Sequence, residues 1–99
     1  MDEDDLRALE ILIMVSPGRH PVIPETHGLR KLRFTKSDSA RGKSGGCRVY
    51  YVYLPDYGIV LLLGIIDKKV QSDLTKADRN ALGQVIADIK RKLDQGVIR

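Results

Sequence analysis

Tryptophan is absent from this 99-residue chain, and phenylalanine and cysteine each occur once. A single cysteine cannot close an internal disulfide, so a disulfide-stapled secreted mini-protein is excluded and a reduced, cytoplasmic chain is expected. Long apolar runs are also missing. The longest, 58–66, falls far short of the ~20 residues that a membrane-spanning helix needs, so no membrane partner is expected. The chain starts Met-Asp-Glu-Asp-Asp, the reverse of the basic start of a signal peptide. At 11.1 kDa there is room for one domain, spanning 1–99, and none for a large cofactor-binding partner domain.

Recognisable cofactor and metal patterns are scarce as well. Gly42-Lys43-Ser44 resembles the end of a phosphate-binding P-loop, but Ser37 stands where the first glycine is required and a strand pattern follows instead of a helix. His20 and His27 have neither a third histidine nor paired cysteines to complete a zinc site. Both are expected to be solvated loop residues, and Cys47 a small buried hydrophobe. No paired carboxylates accompany the basic residues, so glycosidase-like acid–base work has no support. No cofactor and no metal are expected.

Positive charge is present, and it is concentrated. The formal net charge is +4 with an isoelectric point near 9.4. Within 30–48, Arg30, Lys31, Arg33, Lys36, Arg41, Lys43 and Arg48 face a single acid, Asp38, giving that window +6 while the rest of the chain is net acidic. Clustered lysine and arginine on one segment are the electrostatic footprint of phosphate binding.

Hydrophobic periodicity sets the elements. Leu6, Leu9, Leu12 and Ile13, with Met14 beside them, recur at helical spacing over 4–15. Acids from Asp2 to Asp5 suit the helix N-terminus as a solvated cap. Ser16-Pro17-Gly18 stops this helix, and Pro21 and Pro24 keep 19–26 irregular. Residues 29–36 alternate as a strand, with Leu32 and Phe34 on one face and Lys31 and Arg33 on the other. Segment 47–54 is a β-branched, tyrosine-rich strand. Pro55-Asp56-Tyr57-Gly58 is a turn, and the aliphatic run 59–66 reads as a central strand buried on both faces. A second helix spans 75–93, with Thr75 and Asp78 as a capping pair, Leu82, Val85, Ile86, Ile89 and Leu93 as its stripe, and Gly96 as its stop. Gly83 within it marks close packing. The expected architecture is α+β: a small antiparallel three-stranded sheet with helices packed on one face. The open face would then carry Lys31, Arg33 and Arg48, with Tyr50 free to stack on a base.

Gly28-Leu29-Arg30-Lys31-Leu32-Arg33-Phe34, Arg41-Gly42-Lys43-Ser44-Gly45-Gly46-Cys47-Arg48-Val49-Tyr50-Tyr51, Asp67-Lys68-Lys69 and Ser72-Asp73-Leu74-Thr75 together resemble the RelE/HigB-like toxins of bacterial toxin–antitoxin systems, the HigB branch in particular. The resemblance runs from about residue 6 to 93. It implies a RelE-like fold and a metal-independent endoribonuclease that cuts mRNA at the ribosome through attack of the RNA 2′-hydroxyl on the adjacent phosphate. It also implies a helix-turn-helix antitoxin as partner. Matched to the family pattern, Arg48 is the phosphate clamp, Lys31 and Arg33 are the paired basic positions, and Lys69 is the basic residue after the aliphatic strand. Arg30, Arg41, Lys43 and Tyr50 are RNA- or phosphate-contact positions.

Two departures from the family are visible. The family's N-terminal strand has no counterpart ahead of Leu6, so an exposed sheet edge and a homodimer through it are expected. Thr75 stands in the region where the RelE branch has a helper tyrosine. The alternative is a non-catalytic RNA- or ribosome-binding module, or an inactive truncated toxin that still binds an antitoxin.

Overall fold

A computed structural model of the chain describes residues 3–35, 46–67 and 73–96. Helix α1 (Glu3–Val15) is followed by strands β1 (Leu29–Thr35), β2 (Gly46–Leu54) and β3 (Ile59–Asp67), and then by helix α2 (Lys76–Asp94). The strands form one antiparallel sheet in the order β1-β2-β3. The fold is α+β, with every described element close to its expected place.

Local chemistry explains the boundaries. Thr75 and Asp78 form a reciprocal capping box: the Asp78 amide donates to Thr75 Oγ1 at 3.0 Å, and the Thr75 amide donates to Asp78 Oδ2 at 3.1 Å. Gly96 ends the helix at φ 73°, its amide donating to the Leu93 carbonyl. Pro55–Tyr57 make a single 3₁₀ turn closed by Gly58, whose φ of 65° is left-handed, and this joins β2 to β3.

Two expectations are corrected. The central strand is β2, not the aliphatic β3, because β2 is the strand with an antiparallel neighbour on each side. Strand β3 is only partly buried, Leu62 and Ile65 being exposed, and its outer edge has no partner strand among the described residues. Its unbroken apolar character reflects contacts on both faces, Val60 packing on the α1 side and Ile59, Leu61, Leu63 and Ile66 on the α2 side. A bulge between Tyr50 and Tyr51 pairs them with Gly64 and Leu62, so Leu63 breaks the alternation.

The helices also do not share a face. Cys47, Val49 and Tyr51 of β2 pack with Leu32, Phe34 and the α1 residues Leu9 and Ile13. Tyr50, Val52 and Leu54 point the other way and pack with Leu29 and the α2 residues Ile86 and Leu93. Both faces of β2 are apolar, so each needs its own cover, and the sheet is sandwiched. Asp5, expected in solvent, is buried one helical turn before Leu9, while Leu6, Leu12 and Met14 are exposed.

The 19–28 segment is held in place although it is irregular. It runs beside the outer edge of β1, with the Ile23 amide donating to the Leu29 carbonyl at 2.8 Å and the Lys31 amide donating to the Pro21 carbonyl at 3.1 Å. Thr26, 1% exposed, is its knot: Oγ1 donates to the Ile23 carbonyl at 2.6 Å and accepts from the Leu29 amide at 3.0 Å. Gly83 of α2 packs against it so closely that a Cβ there would lie 3.2 Å from the Thr26 Cα, which explains a glycine inside a helix. Thr26→Val keeps the shape and removes both hydrogen bonds, leaving the buried Leu29 amide unpaired. The expected loss is about 2 kcal/mol of stability, read as a lower denaturant midpoint with an unchanged slope.

Candidate nucleic-acid interface

Strand alternation and register together build the cationic site. In the β1–β2 pair, Arg33 lies opposite Arg48, Lys31 opposite Tyr50, and Leu29 opposite Val52. These residues therefore share one face of the sheet, the one that α2 packs on. The helix covers the Leu29, Val52 and Leu54 end through Ile86 and Leu93. At the other end Arg33 is exposed, while Lys31 and Arg48 are half-buried. The cationic surface is thus the end of a face that α2 leaves free, not a whole open face.

Directly opposed cross-strand residues bring their Cβ atoms to about 4.5–5.5 Å, and like charges in that arrangement are destabilising. Arg33 and Arg48 are such a pair. A guanidinium presents donors in a planar fork that matches phosphate oxygens, so an anion between the two would convert repulsion into charge-assisted hydrogen bonds. The face is chemically suited to hold a phosphodiester and to stabilise negative charge developing on it.

Asp73, to which the sequence reading assigned no role, organises the inner border of this surface. Tyr50 Oη donates to Asp73 Oδ1 at 2.5 Å, and the Leu74 amide donates to the same oxygen at 2.8 Å. Lys31 Nζ lies 3.4 Å from Oδ2, a partly exposed contact at 37% and 41% side-chain exposure, which makes it a weak, exchangeable pair. The hydrogen bond from Tyr50, helped by the Leu74 amide and Lys31 and opposed by partial burial, holds the Asp73 carboxyl down at about 2. Burial first, then the bond to Asp73 and its charge, push the Tyr50 hydroxyl up to about 12, against a smaller opposing pull from Arg48. Near neutrality Asp73 is a fixed anion and Tyr50 a fixed donor.

Several expected site residues stand elsewhere. Tyr50 has no exposed surface, so it cannot stack on a base; it belongs to the core and reaches the site only through its hydroxyl. Arg30 points to the opposite face by strand alternation, and its Nη1 donates to the Gly18 and His20 carbonyls, locking the segment after α1. It is a structural residue and not part of the phosphate face. Arg41, Lys43 and Lys69 lie outside the described residues. His20 is half-buried rather than solvated: its ring is edge-on to Tyr51 at 6.1 Å, and burial, then Arg19 and Arg30, lower its pKa. Cys47 is buried, as expected.

Among the described residues no group of three histidine, cysteine, aspartate or glutamate side chains gathers to hold a metal, and no helix is long and apolar enough to cross a membrane. No protein-family model matches the sequence.

A carboxyl held below its unfolded value near 3.9 contributes stability that is complete above that value and lost as pH falls toward the folded one. The protein should therefore lose part of its stability between about pH 4 and pH 2 through Asp73. Asp73→Asn should flatten this part of the acid limb in melts taken across that range. An unchanged acid limb would separate Asp73 from the fold's acid sensitivity.

Proposed function

We propose that this protein is a toxin-type endoribonuclease, similar in character to the RelE/HigB toxins, that acts on mRNA. The observation that carries this reading is the opposition of Arg33 and Arg48 on one strand face, with Lys31 two residues away. In this reading the RNA 2′-hydroxyl attacks the adjacent phosphorus, and the bond to the 5′-oxygen of the next nucleotide breaks. The products are a 2′,3′-cyclic phosphate and a 5′-hydroxyl. Arg48 and Arg33 neutralise the charge that builds on the non-bridging oxygens, and Lys31 leaves Asp73 for the incoming phosphate. The need for a 2′-hydroxyl makes DNA a non-substrate. The ribosome, as the place of cleavage, and a helix-turn-helix antitoxin are the partners that the resemblance adds, with the cytoplasm as the site of action.

A second reading has an observation of its own. Asp73 and Tyr50 are both shifted away from neutrality, so neither is poised to take the hydroxyl proton at pH 7. A non-catalytic RNA- or ribosome-binding module fits that fact. Expression in a bacterial host separates the two. The nuclease reading expects growth arrest, relief of the arrest by Arg48→Ala, and cyclic-phosphate ends on cut RNA. Arrest by the mutant as severe as by the parent removes Arg48 from the mechanism. Tight, salt-sensitive RNA binding with intact RNA gives the second reading.

The β3 edge carries the assembly prediction. It has no strand partner among the described residues, and beside it Glu10, Ile13, Met14, Val60, Leu61 and Leu62 line a groove of about 300 Å³. An apolar edge strand without lysine or proline promotes strand pairing. A second copy is expected on this edge in the isolated chain, seen as a dimer by light scattering at micromolar concentration. Val60→Lys or Leu62→Lys should shift it to monomer. A parent chain that stays monomeric at that concentration sinks the prediction.

A further inference from the structure

Next to Lys31 the surface opens into a cavity of about 290 Å³ lined by Ile23, Pro24, Glu25, Lys31, Asp73 and Arg79. Its outer wall is fixed. Glu25 and His27 adopt left-handed backbone conformations, with φ of 63° and 61°. Such residues persist only where their surroundings over-determine them. Here the Thr26 hydroxyl is bonded on both sides, Gly83 packs against the Thr26 backbone, and Lys90 Nζ donates to the His27 carbonyl at 2.6 Å. The inner wall is fixed as well. Asp73 is held through Oδ1 by Tyr50 and Leu74, and Arg79 Nη1 donates to the Leu74 carbonyl at 3.2 Å.

The lining combines two apolar side chains, Ile23 and Pro24, with two carboxylates and two cations. The Glu25 carboxylate makes no hydrogen bond or ion pair among the described residues. An ionised carboxylate only accepts, and its two oxygens present two adjacent acceptor positions. On the edges that single-stranded RNA leaves open, guanine offers two neighbouring N–H donors, N1–H and the N2 amino group. Adenine, cytosine and uracil each set an acceptor beside their donor. Lysine and arginine complement guanine's O6 and N7. Apolar side chains give a base face its contact.

We propose that this cavity is a nucleobase subsite for guanine in single-stranded RNA, with Glu25 accepting from N1–H and the N2 amino group, and Arg79 donating to O6. The proposal rests on the RNA reading above, because Lys31 shares the strand face of Arg33 and Arg48 and so sets the base beside the bound phosphate. Two carboxylates at the border of a phosphate face also repel a backbone that brings no donors, which converts sequence-blind attraction into selection.

Fluorescence anisotropy with labelled uridine hexamers carrying one central guanosine, inosine or adenosine tests this on the full chain. Inosine keeps N1–H and lacks the N2 amino group. Guanosine should bind about tenfold tighter than adenosine, with inosine between them, the size expected of one bidentate contact. Glu25→Gln removes a negative charge and one of the two acceptor oxygens, so it should tighten binding of the adenosine probe while reducing the guanosine preference to about twofold or less. Salt-sensitive binding with no preference among the three probes overturns the subsite and leaves the RNA reading standing. A guanosine preference that survives Glu25→Gln overturns the role of Glu25. Absence of binding to any probe at low salt overturns the RNA reading and the subsite with it.

Discussion

A strand that presents apolar side chains alternately to both faces must be covered twice, and β2 is such a strand. Cys47, Val49 and Tyr51 require α1 on one side, while Tyr50, Val52 and Leu54 require α2 on the other. Burying one large aliphatic side chain is worth about 1.5–3 kcal/mol. An opposed like-charge pair costs roughly 0.2–1 kcal/mol. The hydrophobic demand of β2 therefore wins easily over the repulsion between Arg33 and Arg48, and the register that buries β2 holds the two arginines opposite each other. The candidate site is thus a consequence of the core.

The same constraint decides what a ligand meets. Because α2 covers one end of the arginine face, the chain entering that helix passes beside the cations, and Asp73 falls there, fixed by a buried tyrosine and a backbone amide. A carboxylate so held cannot swing away, but the weak contact with Lys31 can exchange. The cationic surface consequently has a yielding element, Lys31, and an unyielding one, Asp73.

Much of the fold could be read from the sequence, because local signals carry it. Thr75 and Asp78 fix the start of α2, Pro55 and Gly58 fix the turn, and the alternation of Lys31 and Arg33 with Leu32 and Phe34 fixes the faces of β1. What could not be read depends on contacts distant in sequence. The run of apolar and tyrosine residues in β2 hides which side chains lie inside, so Tyr50 resembled a stacking residue although it is fully buried. Arg30 belongs to the same basic cluster as Lys31, yet a single step along the strand turns it to the opposite face and into the carbonyls of Gly18 and His20. Asp73 carries no local mark: its significance arises from partners 42 and 23 positions away. Aliphatic β3 resembled a central strand because the bulge at Leu63 and its contacts with both helical layers remove the alternation that identifies an edge.

The 19–28 segment links core and surface most directly. Its backbone occupies the outer edge of β1, so one edge of the sheet is protected by the chain itself, while the β3 edge has no partner strand among the described residues. The hydrogen bonds that protect β1 also hold Glu25 at a positive φ against the rim of the Lys31–Asp73 cavity. A strained residue on an exposed loop is ordinarily lost to relaxation, at a cost of about 1–3 kcal/mol for keeping it. Here relaxation would have to break the Thr26 bonds and lift the loop from Gly83, exposing Leu29 and the inner side of α2. The strain at Glu25 is therefore maintained by burial at Thr26 and Gly83 beside it.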